Sequence, residues 1–397
     1  MKKVRLGDIA TVITKGTTPT TLGYDFVDDG VNFVKIESIT ENGEFLTDKF
    51  AHITDECDRK LSRSQLQRND LLFSIAGAIG RTAIVTEEIL PANTNQALAI
   101  IRVPEGVVDY SYLKYVLQSP DIVEQFEKKK QGVAQLNISL KDIGDFVIPL
   151  RTAEEQKSIV ATLDKVSGLI ALRKEQLAKL DQLVKSRFIE LFGDPETNPY
   201  GWKQTTVGEV CSSIVRGPFG SALKKEFFVE PNETTYKVYE QKHAIQKSAT
   251  IGTYYITAEK FDELRRFECV AGDILMSCSG TMGELYQLPE GCEKGLINQA
   301  LCKFTLNKKI LPIVFLTYMK QTIGKLETKG SGIQNIAAVS YVKAMPINLA
   351  PMEVQEQFAA FVEQTDKSKL TIQQSLNKLE LLKKSLMQQY FGQGVLW

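Results

Sequence analysis

The sequence predicts a mixed α/β (α+β) chain, built as a tandem duplication of two globular domains separated by two long helices. Three observations predict it. Asp70-Leu71-Leu72-Phe73-Ser74, with Gly77 and Gly80, recurs as Asp273-Ile274-Leu275-Met276-Ser277, with Gly280 and Gly283. Asn95-Gln96-Ala97-Leu98 recurs as Asn298-Gln299-Ala300-Leu301 at the same offset. Residues 153–193 align without gaps on 352–392, with 11 identities in 41 positions, which marks an internal repeat. The order is globular, helix, globular, helix, with boundaries at 1–150, 151–193, 194–351 and 352–397.

Each globular part mixes short β-branched runs with amphipathic stretches. Val31–Ile36, Thr82–Val85 and Thr253–Thr257 read as strands. Tyr112–Lys130 and Ile313–Lys325 read as helices. Residues 153–193 read as one helix, rich in Glu and Lys and free of Pro, with Gly168 the only weak point. Leu163, Val166, Ile170, Leu177, Leu180, Val184 and Leu191 fall on a 3-4 spacing, interrupted by Arg173 and Arg187. The second seam, Val362, Ile372, Leu376, Leu379 and Leu386, is less regular. Forty residues make a rod of about 60 Å, longer than a small domain is wide, so the two rods are expected to pack on each other. Phe192-Gly193 and Phe391-Gly392 are helix stops. A structured turn, Asp194-Pro195-Glu196-Thr197-Asn198-Pro199-Tyr200-Gly201-Trp202, follows the first.

Composition narrows the function. Hydrophobic content of 43% and charged content of 24% suit a globular protein, and no apolar run reaches membrane-spanning length. Met1-Lys2-Lys3 has no apolar stretch behind it, so a cytoplasmic location is expected. The six cysteines form no CxxC pair and read as free buried thiols. Two histidines, His52 and His243, make neither a zinc site nor a catalytic triad. Asn198-Pro199-Tyr200 has one proline too few for an adenine-methyltransferase motif. Asp121, Glu127 and Lys129 cannot share one helix face as a nuclease metal site would require. No catalytic residue, metal site or cofactor loop is expected.

Two diverged domains on fixed rods would suit a bipartite target on duplex DNA, where half-sites one turn apart lie roughly 34–36 Å from each other. Base readout needs amide, hydroxyl and guanidinium groups on loops, and phosphate positioning needs cations. Arg216, Ser221, Lys224 and Lys225 in the Gly-rich 215–225 segment are the best candidates, with Lys15, Thr17 and Thr18 as counterparts. Tyr239-Glu240-Gln241-Lys242-His243 is a second candidate, with Gln241 and Lys242 as its contacts, matched roughly by Lys35-Ile36-Glu37-Ser38 with Lys35 and Ser38. A third is the glycine turn after each shared strand: Ser74 and Arg81 in one half, Ser279 and Thr281 in the other.

In these motifs the chain resembles the specificity (S) subunit of Type I restriction–modification systems, over nearly its whole length. The resemblance rests on the duplicated Asp-Ile/Leu-Leu-x-Ser strand, the Gly-x-x-Gly turn and Asn-Gln-Ala. It rests also on Gln135-Leu136-Asn137-Ile138-Ser139 before Ile148-Pro149-Leu150 and Glu154-Glu155-Gln156, and on Gln334-Asn335-Ile336 before Leu349-Ala350-Pro351-Met352-Glu353-Val354-Gln355. Leu191-Phe192-Gly193-Asp194-Pro195 and Gly201-Trp202 complete it.

The resemblance implies two target-recognition domains, each reading half of an interrupted double-stranded DNA sequence. It implies an antiparallel coiled coil that sets the spacer and docks two modification (methyltransferase) subunits. Those subunits would bind S-adenosylmethionine, and a restriction subunit would use ATP and Mg; this chain would hold no cofactor. Lys369 and Lys383 depart from the pattern, standing where the first helix has Ile170 and Val184. The rival expectations are a stand-alone nuclease or methyltransferase and a coiled-coil scaffold.

Lys+Arg and Asp+Glu balance at 48 each. By segment the net charge is −4 for 1–150, +2 for 151–193, +2 for 194–351 and zero for 352–397. No segment is a basic arm, which argues against a non-specific DNA coater.

Overall fold

The computed structural model describes residues 2–127, 137–279, 281–323 and 339–392. Gln135, Leu136, Gly280, Gly324, Lys325, Gln334, Asn335 and Ile336, all used in the sequence argument, lie outside the described residues, as do Lys128 to Lys130. The chain divides into two compact units: residues 1–175 with 373–397, and residues 176–372. Each long helix therefore begins in one unit and ends in the other. Each unit is a globular part together with half of each helix.

Alternation along one strand organises the first unit. Leu71–Ser74 is buried throughout. Leu71 and Phe73 face a core shared with the helices, alongside Ala99 and Ile101. Leu72 faces the opposite core with Leu98 and Ile100. Successive strand side chains point to opposite faces, so one run of apolar residues serves two cores. The sheet order is Val12–Lys15, Leu98–Arg102, Leu71–Ser74, Thr82–Ile84, all antiparallel. A smaller sheet sets Val31–Val34 between Ala51–Ile53 and Ala92–Thr94, the latter pair parallel. Lys2–Arg5 pairs with Val147–Leu150 just before the first long helix.

The second unit repeats this plan. Its larger sheet runs Cys211–Arg216, Leu301–Leu306, Ile274–Ser277, Leu285–Gln287. Ile274 and Met276 face the helical core, and Leu275 faces the other. Tyr236–Tyr239 pairs in parallel with Gly295–Ile297, and Lys203–Thr206 pairs with Pro346–Leu349.

Two expected elements differ. The helix expected over 112–130 is two helices, Tyr110–Leu117 and Pro120–Glu127. Pro120 cannot donate a backbone N–H and disfavours helical geometry in Ser119, so the chain restarts there. The strand expected over 253–257 is reduced to Tyr255–Ile256, because only those two residues find ladder partners on Tyr236 and Lys237.

The long helices run Ala153–Phe192 and Met352–Phe391, each 40 residues, with Gly168 inside an unbroken helix. They are antiparallel within each unit. In the first, Leu163 packs in the cluster that contains Met387 and Phe391, Arg151 donates to the Tyr390 carbonyl at 3.0 Å, and Lys174 meets Glu380 at 3.3 Å. In the second, Phe188 and Phe192 pack edge-on against Phe358, and Asp181 meets Lys369 at 2.8 Å. Leu163, Val166, Ile170, Val362 and Leu376 are buried, and Leu177, Leu180, Val184, Ile372, Leu379 and Leu386 are half-buried.

The first departure at the seam, Lys369, is thus satisfied by Asp181 and by Asp366 at 3.5 Å. The second, Lys383, is less well served. Burial first, then Lys114 and Lys174, push its ammonium below the usual lysine range, and Asp164 opposes them only in part.

A shared buried glutamine ties each helix start to its own domain. Gln156 accepts from the Asp109 N–H at 2.8 Å and donates to the Arg151 carbonyl at 2.9 Å. Gln355 accepts from the Leu311 N–H at 2.9 Å and donates to the Ala350 carbonyl at 2.9 Å. Asp109 and Leu311 each open a helix, so the same amide anchors the same junction twice. All six cysteines are free, five buried and Cys292 half-buried.

Two stability outcomes follow. Asp70 is fully buried, takes two 2.6 Å bonds from Arg102 and accepts the Gln67 N–H. Asp70→Ala strands the guanidinium and should cost about 3 kcal/mol in a denaturant titration. Lys383→Met removes a poorly compensated charge from the helix seam. It should raise stability by roughly 1 kcal/mol, read as an upward shift in melting temperature.

Candidate nucleic-acid interface

The loops nominated from sequence come together on the same frame in each unit. The frame is the Asn-Gln-Ala turn. Asn95 Oδ1 accepts the Ala97 N–H at 3.0 Å, and Asn298 Oδ1 accepts the Ala300 N–H at 3.1 Å. The glycine loop lies directly on it. A Cβ at Gly16 would sit 1.7 Å from the Thr94 carbonyl oxygen, and one at Gly217 would sit 1.9 Å from that of Asn298. Only glycine permits this approach. The glutamine then faces the loop: Thr18 Oγ1 donates to Gln96 Oε1 at 2.5 Å, and Gln299 Oε1 lies 2.9 Å from a Cβ built on Gly220. Arg216 Nε donates to the Gln299 carbonyl at 3.3 Å.

After the first long helix a turn leads into Lys203–Thr206, and Cys211–Arg216 then runs into the glycine loop of the second unit. Gly193 (φ +77°) ends the helix, and Asn198 exchanges two 2.9 Å hydrogen bonds with the Trp202 backbone. Asn198-Pro199-Tyr200 is therefore a connector, in line with its dismissal as a methyltransferase motif.

The structure sorts the nominated residues. Lys15, Ser221, Lys224, Lys225 and Thr281 are exposed, and Thr17, Thr18, Lys35, Arg81, Arg216, Gln241, Lys242 and Ser279 are half-buried. Two nominations need correction. Ser74 is fully buried; its hydroxyl donates to the Ala78 carbonyl at 2.5 Å and accepts the Arg81 N–H at 2.8 Å. Ser277 does the same with Thr281 and Glu284 at 2.6 and 2.9 Å. The shared serine closes the glycine turn and offers nothing to a ligand. Ser38 is likewise buried, donating to the Lys49 carbonyl at 3.0 Å. Arg81 spends one N–H on the Ile39 carbonyl at 3.0 Å. Gln241 stitches two loops together, donating to the Ser279 carbonyl and accepting from Ser279 Oγ at 3.2 Å.

Other residues of the site were not singled out from the sequence, although Phe219 and Glu240 lie within the nominated segments. In the second unit a cavity of about 210 Å³ opens between the glycine loop and the small sheet. Glu240, Asn298, Gln299, Lys225 and the stacked rings of Phe228 and Tyr254 line it. Phe219, at the loop tip between two glycines, is 89% exposed. The duplicated Asn-Gln-Ala was visible and could have directed attention to Gln96 and Gln299. Phe219 and Tyr254 carried no signal.

Electrostatics around the cavity are local. Lys242 Nζ lies 2.7 Å from Glu240 Oε2, and Lys224 lies 3.6 Å from Glu226. His243 is fully buried behind the cavity wall, with Nδ1 accepting the Glu240 N–H at 2.8 Å and Nε2 2.7 Å from the Ile251 carbonyl. That pair of partners requires the neutral ring protonated on Nε2. Burial pushes its pKa down, assisted by Lys237, against the pull of the two backbone partners and Glu240. Among the described residues no group of three or more His, Cys, Asp or Glu could hold a metal, and no helix is long and apolar enough to cross a membrane.

Duplicated frames carrying unlike polar loops, each frame joined to half of an antiparallel helix pair, define a tandem-repeat recognition protein. The chain belongs to the family described as Type I restriction modification DNA specificity domain, which matches residues 1–182 and again 199–381. It is 30% identical over 174 residues to the Type I restriction enzyme EcoBI specificity subunit of Escherichia coli, covering 42% of this chain and 36% of that one. It is 28% identical over 144 residues to the MjaVIII specificity subunit of Methanocaldococcus jannaschii, covering 35% and 33%. These matches span about a third of the curated relatives' length. Its fold is similar to a chain solved in work on complex assembly and conformational transition of the type I R-M system, with a TM-score of 0.63, 18% identity, and 98% and 97% of the two chains covered. It is also similar to the type I S subunit from M. genitalium, with a TM-score of 0.50, 15% identity, and 99% and 96% covered.

The buried histidine yields a pH dependence. The unfolded chain takes up a proton near the ordinary histidine value of about 6.5, while the folded chain resists it. Stability present above that pH is lost as the pH falls below it. The melting temperature should drop between about pH 7.5 and 5.5, and His243→Gln should flatten part of that drop.

Proposed function

We propose that this chain is the DNA-reading subunit of a Type I restriction–modification complex. Each globular domain contacts one half of a bipartite double-stranded target. The antiparallel helices set the spacer and dock the modification subunits. Methyl transfer from S-adenosylmethionine, and ATP- and Mg-dependent cleavage, fall to partner subunits. The observation that carries this reading is the frame itself: two platforms of matching strand order whose structural residues agree and whose exposed polar residues differ. A protein that reads two unlike half-sites needs one scaffold and two sets of contacts.

The division of labour follows from chemistry. Lys15, Arg216, Lys224 and Lys225 stand on or beside the glycine loops and can neutralise phosphates, which positions a duplex without reading it. The hydroxyls of Thr17 and Thr281 are short-range groups suited to base edges, whereas Thr18, Gln241 and Ser279 hold the loops through bonds to Gln96 and to each other. With a net charge of zero and no basic arm, this chain has few cations to spare. Much of the phosphate grip falls to the modification subunits.

The test is reconstitution with a modification subunit followed by mapping of methylated adenines. One interrupted sequence should emerge, and random or absent methylation would refute the assignment. Arg216→Ala with Lys224→Ala should leave the complex assembled, weaken DNA binding about tenfold and flatten its salt dependence by roughly two ions. Unchanged affinity, or a complex that fails to assemble, would count against this placement of the loop.

A further inference from the structure

We propose that one position, Lys35 in the first domain and Glu240 in the second, is a specificity-determining position whose charge sign selects the kind of base edge each half-site presents. The proposal rests on the DNA-reading function above. Glu240 would accept from an exocyclic amino group, cytosine N4 or adenine N6. Lys35 would donate to the guanine O6 and N7 acceptors.

The two residues are the same place in the fold. Each directly follows the central strand of the smaller sheet, after Val34 and Tyr239, and those strand ends pair in parallel with the strand that leads into Asn-Gln-Ala. Their backbone angles agree: φ −118° and ψ 170° at Lys35, φ −117° and ψ 167° at Glu240. The N–H of each donates to the side chain three residues on, to Ser38 Oγ at 3.4 Å and to His243 Nδ1 at 2.8 Å. The carbonyl of each accepts the N–H from that same residue, at 3.0 and 2.9 Å.

The fold makes no demand on the side chain here. An ammonium and a carboxylate occupy identical backbone settings, and the local hydrogen bonds use only main-chain atoms of the residue itself. The neighbourhood is otherwise alike, since both positions belong to frames that present the same glutamine, Gln96 or Gln299. What changes between domains is the sign of the charge. In the second domain the Glu240 side chain is one-fifth exposed and lines the cavity beside the Asn298 and Gln299 amides. Lys242 Nζ lies 2.7 Å from its Oε2. In the first domain the Lys35 ammonium sits 4.4 Å over the Phe26 ring, which holds it without cancelling its charge.

The experiment uses the complex of this chain with its modification subunits and maps methylated sites for wild type, Glu240→Gln, Glu240→Lys and Lys35→Met. Glu240→Gln keeps the shape and all main-chain bonds, so it tests the charge without risking the fold. Glu240 variants should lose about tenfold or more of the discrimination at a single base position of one half-site, leaving the other half-site untouched. Lys35→Met should do the same in the other half-site only. Retention of every base preference by all three variants, with methylation still proceeding, would overturn this assignment while leaving the DNA-reading function standing. Uniform weakening across all sequences would overturn it too, because that is the signature of a phosphate contact. Wild-type complex that methylates without sequence preference would overturn the function and this inference together.

Discussion

Each half of this protein depends on one strand buried on both faces. Leu71–Ser74 and Ile274–Ser277 place alternate side chains in two different cores. A strand so placed can vary little without opening a cavity on one side or the other, at a cost of about 2–5 kcal/mol for a large side chain. It is preceded by a buried aspartate and followed by a buried serine, both spent on neighbouring backbone or basic groups. Everything free to change is therefore pushed into the loops at the strand's end.

That constraint explains why the two halves look alike where they do. Asp, Ser, the glycines and Asn-Gln-Ala recur because each closes a turn, fills a buried polar position or permits a backbone approach that a Cβ would block. The polar residues that differ, such as Lys35 against Glu240, stand on the frame those shared residues build. A duplicated reader needs this separation, since its two half-sites can diverge only if contact residues can change without disturbing the frame.

The helices obey a similar logic with more tolerance. Apolar seams hold the antiparallel pairing in each unit, with the Phe188, Phe192 and Phe358 cluster in the second, while the two buried glutamines tie each helix start to its own domain. Lys369 is accommodated by two carboxylates, whereas Lys383 pays with a depressed ammonium among other lysines. The seam survives because a half-exposed long side chain can carry its charge toward its edge while its stem packs.

The duplication, the span of the first long helix, the terminating glycines and the free thiols were legible in the amino-acid sequence, because each depends on local spacing or on repeated identity. The candidate segments were legible, but Lys15 and Arg216 close strands and Gln241 and Lys242 open a short helix. Which of their side chains face outward was not legible. Ser74 and Ser38 look like Arg216 or Ser221 in one dimension, and only the packing around them shows that their hydroxyls are already engaged. The break at Pro120 was locally encoded but outweighed by the apolar period on either side. The segments holding Lys35 and Glu240 could be matched roughly in sequence, but the one-to-one equivalence of these two residues could not. It exists only as matching backbone angles and matching hydrogen bonds beside a strand more than fifty residues away in each domain, and distant pairings of that kind are decided by tertiary structure alone.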